Sequence, residues 1–111
     1  MERSRYINIS HELRSAEARK KRLAFAAAYA MLFRKRVTAG QDIRGIQVLA
    51  ANAAGFGEES WSDAARYQTQ RSMSARLMKD PVVHDELRRL GFVYDERSKK
   101  WHDPILSQRA G

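Results

Sequence analysis

The sequence predicts an all-α fold: a helix-turn-helix domain of about four helices, with a small C-terminal β-hairpin. Three observations lead there. Residues 15–36 contain no glycine or proline and are rich in alanine, with apolar side chains at helical spacing. Further apolar stretches of helical period follow, separated by Gly40, Gly55 and the pair Asp80-Pro81. After Gly91 the period changes, and 92–102 reads as two short aromatic runs flanking a charged turn.

Residues 1–10 show no clear period, and 1–14 reads as a basic N-terminal arm. Ser10 or Ser15 can cap the first helix, with Glu12 or Glu17 in the first turn, where the dipole favours acids. Its stripe reads Leu23, Ala27, Ala30 and Met31, widened by Phe25, Tyr29, Leu32 and Phe33. Arg34, Lys35 and Arg36 suit the negative end of that helix. After Gly40, Gln41 or Asp42 opens a second helix. Its buried stripe reads Ile43, Ile46, Leu49, Ala50 and Ala53, with Arg44, Gln47 and Asn52 off it. Gly55 can supply the positive φ of a C-terminal cap. Ser60 or Ser62 starts a third helix running to about Lys79. Asp80 caps a fourth, with Pro81 at its first position and Val83, Leu87 and Leu90 along it. Gly91 closes it, so that Phe92 can fold back on Leu87. Phe92, Val93 and Tyr94 then pair with Lys100, Trp101 and His102 across 95–99, with aromatics on one face. Beyond Pro104 the chain is expected to fray. The organisation is thus an arm (1–14), a helix-turn-helix domain (15–90) and a hairpin with tail (91–111).

The 111 residues suit one domain with a modest core. Without cysteine there is no disulfide, thiol nucleophile or zinc–thiolate site. No signal peptide is expected, and the apolar stretch 23–33 is too short to cross a membrane. The net charge is +8 and it is uneven. Residues 1–40 hold ten Lys and Arg against three acids, and 41–111 hold eleven against ten. A local basic surface attracts polyanions by neutralising phosphates and releasing counterions. The competing reading is a solvated charged helix face. Two basic clusters flanking one helix favour the polyanion.

The pattern of helix (42–53), glycine-containing turn (54–59) and helix (60–79) is that of a helix-turn-helix, whose second helix can enter the major groove. Ser62, Arg66, Gln68, Gln70 and Arg71 are the exposed candidates on it. Arg19, Lys20, Lys21, Arg22, Lys35, Arg36 and Arg44 are expected to contact phosphates and supply affinity. Ser62, Arg66, Gln70 and Arg71 are expected to face the groove and supply selectivity. No catalytic constellation, metal site or cofactor motif is expected. His11, His84 and His102 lack ligand spacing, and His84 reads as solvent-facing. Asp85 and Glu86 read as solvated acids, and 55–57 lacks the lysine and strand of a phosphate loop. Trp61 could pack or stack on bases, and Trp101 is read as packing. Phe92, Tyr94 and Trp101 are a candidate partner patch, but a flap covering the end of a small core is the favoured reading.

Three strings resemble pieces of the small terminase subunit of tailed bacteriophages, or of a phage-like gene transfer particle. LAFAAAY at 23–29 resembles the family's first apolar helix, with Phe and Tyr four apart. LAANAAGF at 49–56 resembles its alanine-rich corner ending in glycine and an aromatic. SARLMKDPVV at 74–83 resembles its serine, basic, Leu-Leu, Lys, Asn/Asp-Pro-x-Val ending. They occur in the family's order and span roughly 20–90. The interval from Phe56 to Ser74 is longer than in shorter members. Members usually continue into a helical oligomerisation segment, whereas 91–111 reads as a hairpin. The resemblance implies a non-enzymatic protein of the bacterial host cytoplasm that binds double-stranded viral DNA. It would bring that DNA to the large terminase subunit, whose ATPase and nuclease do the chemistry, and it could form a homo-oligomer. The residues alone leave two alternatives: a small helix-turn-helix transcriptional regulator, or a module that binds protein rather than DNA, such as a viral inhibitor of a host enzyme.

Overall fold

A computed structural model describes residues 2–56 and 62–106, with side-chain surroundings from Ala16 onward. Four helices lead into an antiparallel hairpin: α1 (Glu2–Thr38), α2 (Ile46–Ala53), α3 (Asp63–Leu77), α4 (Pro81–Arg89), β1 (Val93–Asp95) and β2 (Lys100–His102). One helical turn follows at 104–106, where fraying was expected. The expected caps and turn residues at 57–61, Ser60 and Trp61 among them, lie outside the described residues. α1 is longer than the sequence predicts, because the presumed arm is helical from Glu2 onward. No glycine or proline precedes Gly40, so nothing in the chain interrupts propagation of that helix.

The core is built on α1, whose buried face is Phe25, Ala26, Tyr29, Ala30 and Phe33. The stripe expected from spacing is therefore rotated: Ala27 and Met31 are exposed. The aromatic rings decide the rotation, since burying them removes more apolar area from water than burying alanines. Their centroids run 6.4 Å from Phe25 to Tyr29 and 6.2 Å from Tyr29 to Phe33, and the Phe92 ring closes edge-on against Phe33 at 5.2 Å. α1 packs against α2 and α4, and α3 packs chiefly against α2.

α2 begins at Ile46 rather than at Asp42. The Asp42 carboxylate accepts a hydrogen bond from the Arg44 backbone N–H at 2.9 Å, which forms a turn, and Gly45 follows at φ +77°. The buried face of α2 is Ile46, Ala50 and Ala51, while Ala53 is exposed and Leu49 is 44% exposed. Two consecutive alanines at that face let α2 approach α1 closely. Gly55 and Gly91 (φ +85° and +98°) end α2 and α4 in the same way. The next N–H, of Phe56 or Phe92, reaches back to the carbonyl of Ala51 or Leu87 at 3.0 and 2.9 Å. Each cap thereby turns a phenylalanine back onto its helix. Asp80 caps α4, its carboxylate accepting from the Val82 N–H at 2.8 Å with Pro81 at the first position, as the sequence predicts.

The hairpin pairs Val93 with His102, Tyr94 with Trp101 and Asp95 with Lys100. Tyr94 and Trp101 share a face, 4.9 Å apart, and enclose the His84 imidazole of α4 at 5.0 and 4.9 Å. His84 is thus half-buried, not solvent-facing, and its Nε2 lies 2.7 Å from the Met78 carbonyl oxygen. The tail is fastened to α1 by an ion pair absent from the sequence reading. Arg34 Nε donates to the Asp103 carboxylate at 2.7 Å, and Asp103 is only 3% exposed. The same guanidinium donates to the Leu90 carbonyl and lies 4.9 Å from the Phe92 ring centre.

Candidate nucleic-acid interface

Three polar contacts fix the rotation of α3. Gln70 is 5% exposed, and its Nε2 donates to Asn52 Oδ1 at 2.8 Å and to the Phe56 carbonyl at 2.9 Å. Gln47 Nε2 donates to Ser74 Oγ at 3.3 Å, and the fully buried Ser74 hydroxyl donates to the Arg71 carbonyl at 2.9 Å. Leu77 completes this inward face. Gln70 is therefore not a groove-facing residue. It is the polar clasp of the corner, joining α3 to α2 and to its glycine cap, and one amide NH₂ has the two donors that role needs.

The opposite face of α3 is exposed at Ala64, Ala65, Gln68, Arg71, Ser72, Ala75 and Arg76, and the Tyr67 ring, 55% exposed, flanks it beyond Arg71. At the helical step of about 100° per residue, Ala64, Ser72 and Ala75 lie within roughly 40° of Gln68. Arg71 lies about 60° to one side and Arg76 about 80° to the other. Small side chains thus surround one amide, with a guanidinium along each edge. From Asp63 to Lys79 the segment carries Arg66, Arg71, Arg76 and Lys79 against the single acid Asp63. Ser62 is the N-cap: its Oγ accepts from the Ala65 N–H at 3.3 Å, so its hydroxyl is engaged in starting the helix. Arg66 is half-buried and lines the cleft between α2 and α3 beside Asn52 and Gln70, away from the outward stripe. Of the four expected groove residues, only Arg71 lies beside the exposed stripe.

The α1 cations do not form one surface. Arg19, Lys20 and Lys35 are exposed, and Lys20 and Lys35 share the unpacked stripe with Ala24, Ala27 and Met31. Arg22 Nε lies 3.4 Å from the Asp80 carboxylate, which neutralises it and ties α1 to the cap of α4. Arg36 Nη1 donates to the carbonyls of Asp42 and Arg44 at 3.1 and 3.0 Å and closes the α1–α2 turn. Arg44 remains 91% exposed although paired with Asp42 at 3.2 Å. Lys21 Nζ stands 5.5 Å over the Phe56 ring and 3.5 Å from the Gly55 carbonyl. Lys21 and Arg22 share an open groove of about 500 Å³ with Arg76, floored by Phe56, Met73 and Leu77. That groove is where the first basic cluster meets α3.

The candidate partner patch is corrected as well. Phe92 and Trp101 are 2% and 4% exposed, and Tyr94 is half-buried, so the three cover the core as a flap. Ser72, Ala75 and Arg76, which lie on the exposed face of α3, are absent from the interface residues expected from the sequence. The signal was present: placing Met73 and Leu77 inward together turns 68, 72, 75 and 76 outward. Among the described residues, no three His, Asp or Glu side chains converge as metal ligands would, and no helix is long and apolar enough to cross a membrane. The chain matches no protein-family model, no curated protein and no solved structure.

Proposed function

We propose that this chain is a non-enzymatic DNA-binding protein that acts as a small terminase subunit. In this reading it binds duplex viral DNA through α3 and hands it to the large terminase subunit for packaging, in the bacterial host cytoplasm. One observation carries the DNA-binding half: α3 is held to α2 along one face by Gln70 and Ser74, while its other face is exposed, small at the centre and edged by Arg71 and Arg76. A helix of that profile fits the major groove, with its arginines at the phosphate walls. Lys21, in the groove it shares with Arg76, extends the cationic edge onto α1. The packaging half rests on the three resembling strings. Two of them coincide with structural devices, the Gly55 cap and the Asp80-Pro81 helix start.

The test has two arms. Duplex binding by fluorescence anisotropy, at several salt concentrations, should weaken for Arg71→Ala and Arg76→Ala on every sequence, each lowering the salt slope by about one. A pull-down against the large terminase subunit, with and without DNA, should retain the chain. A folded protein that ignores duplex DNA at low salt would refute the DNA role and leave a protein-interaction module. DNA binding without retention by the large subunit would refute the packaging role and make the chain a regulator.

A further inference from the structure

We infer that Gln68 is the base-reading residue of this chain and that it selects an A·T pair at the centre of the bound site. The inference rests on the DNA-binding reading of α3 and goes beyond it by naming the base recognised. Gln68 is the sixth residue of α3, within the N-terminal part of the helix that reaches base edges when a recognition helix enters the major groove. It is exposed at the centre of the outward stripe, whereas the other long uncharged polar side chain exposed on α3, Tyr67, lies about 100° round the helix from it. The other glutamine of α3, Gln70, is held inward by two hydrogen bonds. Ala64 lies one turn before Gln68 and Ser72 one turn after, so the positions directly before and after the amide on the stripe are small.

A carboxamide matches adenine: its NH₂ donates to N7 while its oxygen accepts from the N6 amino group. Guanine offers N7 and O6, two acceptors, and meets only the donor end of the amide. On the same stripe Ala64 presents a methyl group, which suits the C5-methyl of a thymine next to the pair that Gln68 reads. Arg71 and Arg76 stand to either side of the stripe, placed for backbone phosphates. Selectivity therefore concentrates on one pair and one neighbouring methyl.

The experiment compares matched duplexes with the full chain by anisotropy. A pool of randomised duplexes first identifies the preferred site. The preferred base is then replaced by its competitor, and in a second duplex by 7-deazaadenine, which lacks the N7 acceptor. The wild type should favour adenine at one position by on the order of tenfold, and lose most of that margin with 7-deazaadenine. Gln68→Ala should bind both duplexes equally, with little change on the competitor, and Gln68→Arg should move the preference to guanine. Circular dichroism of the variants should overlay the wild type, since Gln68 makes no buried contact. Duplex binding with no adenine preference, or with a preference that Gln68→Ala retains, would overturn the inference and leave the DNA-binding reading standing. Absence of duplex binding by the wild type would overturn both.

Discussion

Gln70→Ala separates the structural reading of α3 from the one its sequence invites. The wild-type amide donates to Asn52 Oδ1 at 2.8 Å and to the Phe56 carbonyl at 2.9 Å from a site 5% exposed. Truncation removes two hydrogen bonds, each contributing about 1 kcal/mol net, and leaves the partly buried Phe56 carbonyl without its donor. Asn52 is exposed and can turn to water, so its share of the loss is small. The expected destabilisation is about 2–3 kcal/mol, which for a domain of this size lowers Tm by roughly 10 °C. Gln68→Ala, on the opposite face, should change stability by less than about 0.5 kcal/mol. Thermal unfolding followed by far-UV circular dichroism measures both, and a double cycle with Asn52→Ala isolates the direct bond. The reasoning fails if Gln70→Ala melts with the wild type yet loses duplex binding. That outcome would rotate α3 and return Gln70 to the groove.

Three more outcomes follow from the same geometry. Asp103→Ala leaves the Arg34 guanidinium without its carboxylate beside the Phe92 ring, and because Arg34 is partly exposed the expected cost is about 2–3 kcal/mol, read from a urea melt. Gly91→Ala forces a Cβ into φ +98°; the nearest group, Arg34 Nη2 at 3.7 Å, leaves room, so the cost is backbone strain of about 1–2 kcal/mol, read from the same melt. Asp95 is held below the ordinary aspartate range, chiefly by the Arg97 backbone N–H, then by the Ser98 hydroxyl and less by the charge of His102. A lowered folded-state value means that its stabilisation of the hairpin is complete above the ordinary aspartate range and is lost as pH falls through the lowered value. Trp101 fluorescence should report that acid transition, and Asp95→Asn should abolish it.

How much of this could be read from the chain follows from what each signal encodes. Gly55, Gly91 and Asp80-Pro81 were legible because each is a local backbone requirement, satisfied within a few residues. The hairpin was legible because its aromatic runs and charged turn lie side by side in sequence. Helix rotation was not, since an alanine-rich helix offers several overlapping apolar stripes. In α1 the choice fell to three aromatic rings, and in α2 to Ala50 and Ala51, whose small size only matters against a partner helix. Contacts between distant residues were invisible for the same reason: nothing near Arg34 announces Asp103, and nothing near His84 announces Tyr94 and Trp101.

The cations show what that gap does to a functional argument. Counting charge makes 1–40 the polyanion surface, with ten bases against three acids. The fold assigns several of those bases to other work: Arg34 to a buried carboxylate, Arg22 to Asp80, Arg36 to two turn carbonyls. Lys20 and Lys35, fifteen positions apart on the unpacked stripe of α1, are separated by about 22 Å along the axis. No single short stretch of phosphates beside α3 meets both. In the proposed DNA-binding reading, affinity would depend less on Lys20 and Lys35 than on Arg71 and Arg76 of α3 and Lys21 beside it. The consequence is quantitative: neutralising Lys20 and Lys35 together should lower the salt slope of duplex binding by less than neutralising Arg71 and Arg76 together. The opposite ranking would move the DNA onto α1.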